Sequence, residues 1–231
     1  SKFTLLRDDT KLYQKILRLK QKLSQSTSIQ DQYKYAMLLL NFPWLNQEEG
    51  EVDNRLLDLA KKGHALAMYE YGIKLYLEQK NIPEAINWIS QASKYGLVRA
   101  EYRLGKLLQT SPWIVHDDKK ALLWYESAME KNHIASTLRA VEIKLTSKDE
   151  SLHDLQNAIK YLALLEDSET NNPEYYYLLA LSHKDRENRD FTKVIENLEK
   201  AIRKGNIANW DVSEWQDLLT KLTTGTVYIN D

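Results

Sequence analysis

Apolar residues recur along the chain at steps of three and four, the spacing of one face of an α-helix. The pattern itself repeats every 33 to 39 residues, because a column of small residues returns at Ala36, Gly72, Gly105, Val141 and Ala180. A larger residue precedes each of them by three positions, at Tyr33, Tyr69, Tyr102, Leu138 and Tyr177. Columns that share one spacing predict a repeat architecture.

A second set of columns follows the first and predicts a second helix in each unit. Small residues stand at Ala85, Ala121, Ala158 and Val194, and three residues later come Trp88, Trp124, Tyr161 and Asn197. Each unit is therefore expected to hold two helices, A and B, that cross closely at the small residues. We expect Trp88 and Trp124 to cover that crossing in the core. Left-handed C-terminal residues are expected at Gly63, Gly96, Asn132 and Gly205.

Two kinds of run resemble the helices of Sel1-like repeats, a branch of the tetratricopeptide superfamily. Residues 65–72 and 100–105 resemble helix A of these repeats, and residues 84–96 and 120–128 resemble helix B. The resemblance is specific over about residues 51–132 and becomes generic elsewhere, where Val141, Leu165 and Asn197 replace the expected small or aromatic residues. It implies an adaptor, since the family is known for such roles in bacterial envelopes and in eukaryotic protein quality control.

Pattern and resemblance together predict an all-α, right-handed α-solenoid (superhelix) of about five stacked antiparallel helix pairs with terminal capping helices. We expect residues 1–231 to form a single repeat domain. Its predicted parts are an N-terminal capping helix in 1–28, helix-pair repeats at 29–63, 64–96, 97–132, 133–167 and 172–205, and a C-terminal capping helix and tail in 206–231. The N-terminal stretch is amphipathic through Leu12, Ile16, Leu19 and Leu23. An alternative is that a partner recruits this helix.

Composition narrows the function. Lys and Arg number 32 against 33 Asp and Glu, a net charge of -1, so nucleic acid is not an expected partner. The chain has no cysteine, which excludes a disulfide framework and a cysteine nucleophile. Its apolar runs fall short of the roughly 20 residues that span a bilayer, so we expect no integral membrane segment.

The search for reactive chemistry finds no motif. The sequence has no HExxH, GxSxG, GxGxxG or P-loop, and its histidines show no metal-ligand spacing. The stretch His116-Asp117-Asp118 is interpreted as an acidic helix start. We therefore expect no catalytic residue, cofactor, metal or small-molecule substrate, and we expect another protein as the partner.

Positions -6, -3, +1 and +4 from the small column fall within an arc of about 80° on each A helix. They predict a concave partner-binding face, for which we select Tyr69, Ile73, Tyr76, Arg99, Tyr102, Lys106, Glu142, Tyr177 and Lys184. Tyrosine and arginine are typical of protein interfaces. The alternative is that the tyrosines pack between helices and that the charged residues belong to a solvated face.

Two further sites stay open on sequence alone. Trp113 lies in a loop where apolar residues have no periodic reason to occur, so this loop either tucks under its repeat or is an exposed recognition element. Trp44 beside Pro43 has the same two interpretations. In the run Tyr175-Tyr176-Tyr177 the rings cannot share one direction, and we expect Tyr176 to be exposed.

Three functions follow, led by a scaffold or adaptor that binds a partner protein or peptide on its concave face. One alternative is an immunity protein that neutralises a secreted bacterial toxin, since some Sel1-like proteins block type VI phospholipase effectors. Another is an enzyme with a site between repeats. The chain opens on Ser1 rather than methionine, which slightly favours the bacterial periplasm or envelope over the cytoplasm.

Overall fold

A computed structural model describes residues 10–46, 48–187 and 189–225 of the chain. These residues form twelve α-helices and two short 3-10 turns, with no strand among them, which confirms the all-α prediction. The helices are α1 Thr10–Ser24, α2 Ile29–Asn41, α3 Glu51–Lys61, α4 Ala65–Leu77, α5 Ile82–Lys94, α6 Val98–Thr110, α7 Asp118–Met129, α8 Ile134–Thr146, α9 Leu155–Leu164, α10 Pro173–Lys184, α11 Phe191–Ile207 and α12 Ser213–Thr223.

The helices pack in consecutive pairs, from α2 with α3 to α10 with α11. Each pair falls within one predicted repeat, except that α11 continues two residues past position 205. The chain divides into two compact units, Ser1–Leu104 and Gly105–Asp231. That residues 1–231 form a single domain stays a prediction. Residues 1–9 and 226–231 of the predicted capping segments lie outside the described residues.

Helix ends follow the local chemistry of the sequence. Asn172 caps α10 by accepting the backbone N–H of Glu174 at 3.0 Å, with Pro173 in the first turn as predicted. Gly63, Gly96 and Asn132 adopt the left-handed conformation after α3, α5 and α7, with φ of 89°, 86° and 64°. These three predictions are confirmed.

The prediction for Gly205 is wrong. This glycine lies inside α11 and is buried, and a β-carbon there would stand 2.4 Å from Val212. The left-handed position comes four residues later, at Asn209 with φ of 59°. Gly205 is thus small because the segment leading into α12 crosses over it, rather than because the backbone turns there.

In both units the small columns are buried where the A and B helices cross. A residue that the sequence patterns did not single out fills each crossing. Ile89 lies against Gly72 in the first unit, and the ring of Tyr125 lies against Gly105 in the second. Both side chains are fully buried, whereas Trp88 and Trp124, one position earlier, are partly buried. The tryptophans therefore flank the crossing rather than cover it.

Helix α1 packs on the first repeat. Ile16 and Leu23 are buried in the core of the first unit, and Tyr13 stacks on Trp44 with ring centroids 5.3 Å apart. Lys20 donates a hydrogen bond to the Leu45 carbonyl at 3.2 Å. The predicted apolar face is buried only in part, because Leu12 and Leu19 remain 42% and 43% exposed.

Candidate functional site

The candidate residues of the first unit differ in how much surface they offer. Tyr69 and Tyr76 are each 8% exposed, and Tyr69 packs in a cluster with Ile73 on its edge. Tyr102 is partly buried. Arg99 is exposed, with 58% of its side chain accessible. Tyr69 and Tyr76 thus fit the alternative that the tyrosines pack between helices. Arg99 is the most accessible of these candidates.

An ion pair links neighbouring A helices in each unit at equivalent positions. In the first unit Arg99 lies 3.9 Å from Glu70, which precedes the small residue of its helix by two positions. In the second unit the polarity is reversed, because Arg139 pairs with Glu174 of the next A helix and also with Glu142 at 2.6 Å. Burial raises the pKa of Glu70, against the opposing influence of Arg99 and Arg103.

The candidate residues at the last repeat are partly covered by the C-terminal helix. Tyr177 stacks on Trp215 of α12 with centroids 5.1 Å apart, so α12 occupies this part of the A-helix face. Lys184 is partly buried and pairs with Asp185 at 3.1 Å.

The expectation that Tyr176 is exposed is wrong. Its hydroxyl donates to the Thr170 carbonyl at 2.8 Å, and the Lys200 and Lys204 ammonium groups of α11 lie over its ring. It is 7% exposed, while Tyr177 is the most accessible of the three tyrosines.

A polar depression of about 570 Å³ lies in the second unit, between the C-terminal ends of the A helices α6 and α8. Its walls include Gln109 and Glu142, which are the +4 and +1 positions of the predicted binding face. The loops that follow the two helices form the rest. Besides Gln109 and Glu142, the lining residues are His116, Asp117, Asp118, Lys119, Ile143, Thr146, Ser147, Lys148 and Asp149.

The two loops of this depression are braced in the same way. In the first, a ring nitrogen of His116 lies 2.8 Å from the Ser111 carbonyl, and the Asp117 N–H donates to the Leu108 carbonyl. In the second, His153 contacts the Ser147 carbonyl at 2.7 Å, and the Asp154 N–H donates to the Lys144 carbonyl. Asp117 and Asp154 then cap α7 and α9.

The predicted helix start at His116-Asp117-Asp118 is confirmed, but the shared brace escaped the sequence analysis. Its signal is a serine at the end of an A helix followed by a His-Asp pair. Because the insertions between them differ in length, the two loops do not align in the repeat columns.

The walls carry both signs of charge. Asp118 accepts a hydrogen bond from the Ser147 hydroxyl at 2.7 Å, which ties one loop to the other. Gln109 accepts the hydroxyl of the buried Tyr125 at 2.6 Å, so its amide is held in place. Lys119 and Lys148 are exposed. A depression with fixed acceptors and exposed cations suits a charged peptide segment better than an apolar ligand.

The loop between α6 and α7 also exposes apolar residues. Trp113 is 46% exposed and Val115 is 90% exposed, although Ser111 at the start of the loop is buried. Of the two interpretations of Trp113, the structure favours the exposed element. Lys106 is partly buried, on the part of α6 that belongs to the second unit.

Searches for two other kinds of site find no candidate in the described part of the chain. None of its helices is long and apolar enough to cross a membrane. No group of three or more His, Asp or Glu side chains within it could hold a metal ion. Four of the five histidines cap a helix or brace a loop, namely His64, His116, His133 and His153.

Comparison with protein-family models finds no match, and comparison with curated proteins finds none either. Solved structures do match. One is c5321, a protective antigen of uropathogenic Escherichia coli strains that displays an SLR fold, with a TM-score of 0.62 and 16% identity over 80% of this chain and 40% of that one. Another is a Sel1 repeat protein from Oxalobacter formigenes, with a TM-score of 0.61 and 15% identity over 89% of this chain and 66% of that one.

This chain spans less than two thirds of the length of either structure. At these identities the likeness concerns the fold alone, and it agrees with the helix pairs described above. The chain therefore has the Sel1-like repeat (SLR) fold, as the resemblance of its A and B helices predicts.

Proposed function

We propose that this chain is a non-catalytic, protein-binding scaffold that holds a segment of a partner protein in the depression between α6 and α8. The observation that carries the proposal is the position of that depression. It joins two positions of the predicted binding face, Gln109 and Glu142, to the two braced loops that follow their helices. Repeat folds commonly bind partners on the surface that their successive A helices form.

The lining indicates the kind of segment. The volume of the depression is within the range of about 300–1,000 Å³ that ligand sites occupy, but the walls of the depression are mostly charged or polar. An extended or loop segment with charged side chains can pair with both Asp118 and Lys119, and Trp113, in the loop between α6 and α7 that also contributes His116 to the wall, offers an aromatic contact. Arg99, Lys106 and Lys184 remain predicted partner residues, whereas Tyr69 and Tyr76 serve mainly in packing.

The proposal is tested by a substitution that fills the depression with a large side chain. Thr146 ends α8, is exposed and lies in the wall, and its hydroxyl donates to the carbonyl four residues earlier. Thr223 ends α12, is exposed and makes the equivalent bond. Thr146→Trp should remove the partner that the wild-type chain captures from its native cells, measured by quantitative mass spectrometry and then by titration with the purified partner. Thr223→Trp is the matched control and should retain it.

An identical set of captured proteins with the wild-type chain and both variants would contradict the proposal. The narrower immunity hypothesis makes a separate prediction about affinity. An immunity protein should bind one toxin, such as a phospholipase effector, with a Kd on the order of pM to nM, whereas an adaptor should bind more weakly or to several partners. A flat titration at micromolar toxin excludes that toxin as its target.

A further inference from the structure

Helix α1 is strongly basic, whereas the charges of the whole chain are nearly balanced. It holds five cations and no carboxylate within fifteen residues, although the whole chain has a net charge of -1. Lys20 is engaged with the Leu45 carbonyl. The other four are exposed and form no ion pair with any residue that the structure describes. They are Lys11, Lys15, Arg18 and Lys22.

These four cations lie on one stripe of the helix. Their spacing of i, i+4, i+7 and i+11 places them within an arc of about 60° at about 100° per residue. The stripe is about 16 Å long, at about 1.5 Å per residue. Arg18 also donates weakly to the Gln14 carbonyl of its own helix, at 3.5 Å, which leaves most of its guanidinium available.

Two leucines border this basic stripe. Leu12 and Leu19 are 42% and 43% exposed, and they lie between the stripe and the buried residues Ile16 and Leu23. Around the circumference of the helix, the buried core residues are therefore followed by the exposed leucines and then by the cations. Like-charged, exposed neighbours along one stripe repel one another, so a surface that brings negative charge relieves this repulsion.

The width of the exposed apolar strip on α1 decides whether its partner is a lipid surface or a protein. The centre of the apolar face, at Ile16 and Leu23, is already packed in the core, so the apolar surface beside the basic stripe is reduced to Leu12 and Leu19. Leu17 is 38% exposed but lies on another face of the helix. Interfacial helices bury a whole apolar face in the lipid, which α1 cannot do while it caps the repeat. A second helix needs only a narrow seam of leucines flanked by opposite charges.

We propose that α1 is a docking surface for an acidic amphipathic helix of a partner protein, which packs on Leu12 and Leu19 and pairs its carboxylates with the four cations. This inference rests on the proposed scaffold function, to which it adds a second contact of defined chemistry. It requires no change in the first repeat, because α1 keeps its contacts with Trp44 and Leu45.

The probe is a stapled helical peptide with glutamates at i, i+4, i+7 and i+11 and leucines beside them, titrated into the full chain and followed by fluorescence anisotropy. We expect saturable binding with a Kd on the order of micromolar. Lys15→Glu with Lys22→Glu should weaken it about tenfold or more. Lys61→Glu with Lys94→Glu makes the same charge change at two exposed sites elsewhere and should leave binding intact. Leu19→Ser should weaken binding without removing the salt dependence.

Three results would overturn the proposal. Equal binding of a scrambled peptide of the same composition would show unspecific charge attraction. Binding to phosphatidylglycerol vesicles but not to the peptide would make α1 a lipid-binding helix, and binding to neither would leave the stripe without this role. Circular dichroism of each variant checks that the helices remain folded. Thr146→Trp should bind the peptide normally, because Thr146 lies in the depression and not on α1. Failure of the α1 docking proposal can therefore be told apart from failure of the scaffold proposal.

Discussion

At the scale of single residues, the glycines of the small column have a specific neighbour. A β-carbon on Gly105 would lie 2.5 Å from the Tyr125 ring, and one on Gly72 would lie 2.9 Å from Ile89 and from the Ala85 carbonyl. Tyr125 is fully buried and its hydroxyl is held by Gln109, so the ring has little freedom to move aside. Gly105 is therefore required by the packing of this side chain.

Gly105→Ala should lower the free energy of unfolding by about 1–3 kcal/mol, although alanine favours helices, because the added methyl group overpacks the crossing. Urea denaturation followed by circular dichroism measures the change. Thr110→Ala in the same helix is the control, since Thr110 is exposed at the helix end. A Gly105 variant at least as stable as the wild type would show that the crossing tolerates the methyl group.

At the scale of elements, two A helices begin with a histidine cap. The His64 ring nitrogen accepts the Ala67 N–H at 3.2 Å, and that of His133 accepts the Ser136 N–H at 3.3 Å. Burial lowers the pKa of both rings. A protonated nitrogen cannot accept a hydrogen bond, so both caps exist only in the neutral form.

The sign of the pH dependence follows from the lowered pKa values. The caps contribute fully above the unfolded-state pKa of about 6.5, and their contribution is lost as pH falls through the lower pKa of the folded state. The melting temperature should therefore drop between pH 7.5 and pH 5. His64→Asn with His133→Asn keeps a cap that does not titrate, so its drop should be smaller. His183, whose pKa is also lowered, is present in both proteins and cancels. Parallel pH profiles would assign the dependence to other groups.

The C-terminal helix α12 packs on its neighbours through Leu222, which is buried, and through the aromatic side chain of Trp215. Trp215 stacks on Tyr177 of α10 and reaches Gly205 of α11. Trp215→Ala should lower the free energy of unfolding by up to about 3 kcal/mol, because it removes both contacts. Trp113→Ala is the matched control at an exposed tryptophan and should change stability by less than about 0.5 kcal/mol. Thermal melting compares the two, and equal losses would contradict this role of α12.

At the scale of the whole molecule, a balanced net charge hides local differences. The basic stripe of α1, the mixed walls of the depression and the ion pairs between A helices all coexist at a net charge of -1. Long-range attraction is therefore weak, and recognition depends on which charges a partner meets at close range.

Reversing the charge of two predicted partner residues tests whether recognition depends on charges at close range. Arg99→Glu with Lys106→Glu should reduce capture of the partner while helicity and melting stay unchanged, because a surface pair such as Arg99 with Glu70 contributes only about 0–1 kcal/mol. Arg203→Glu with Lys221→Glu alters two exposed cations outside the candidate surface and serves as the control. A fall in melting temperature of many degrees would instead make Arg99 and Lys106 structural.

The sequence by itself determined the repeat, the helix pairs and most helix ends. Column spacing reports which residues face the core of a helix pair, and caps such as Asn172, Gly63 and Gly96 depend on neighbours a few residues away. Both kinds of signal are local, so one chain is enough to predict them. Glu142 was predicted in the binding face for the same reason.

The tertiary structure decided which residues are covered by other parts of the chain. Tyr176 is covered by lysines of α11, Tyr177 by Trp215 and Gly205 by Val212, and each covering residue comes from another helix or from the segment between helices. The depression likewise joins loops that are about thirty residues apart. Helical spacing is the same for a side chain that packs and for one that binds. Only the position of the neighbouring helices separates the two, because burial depends on contacts between residues distant in sequence.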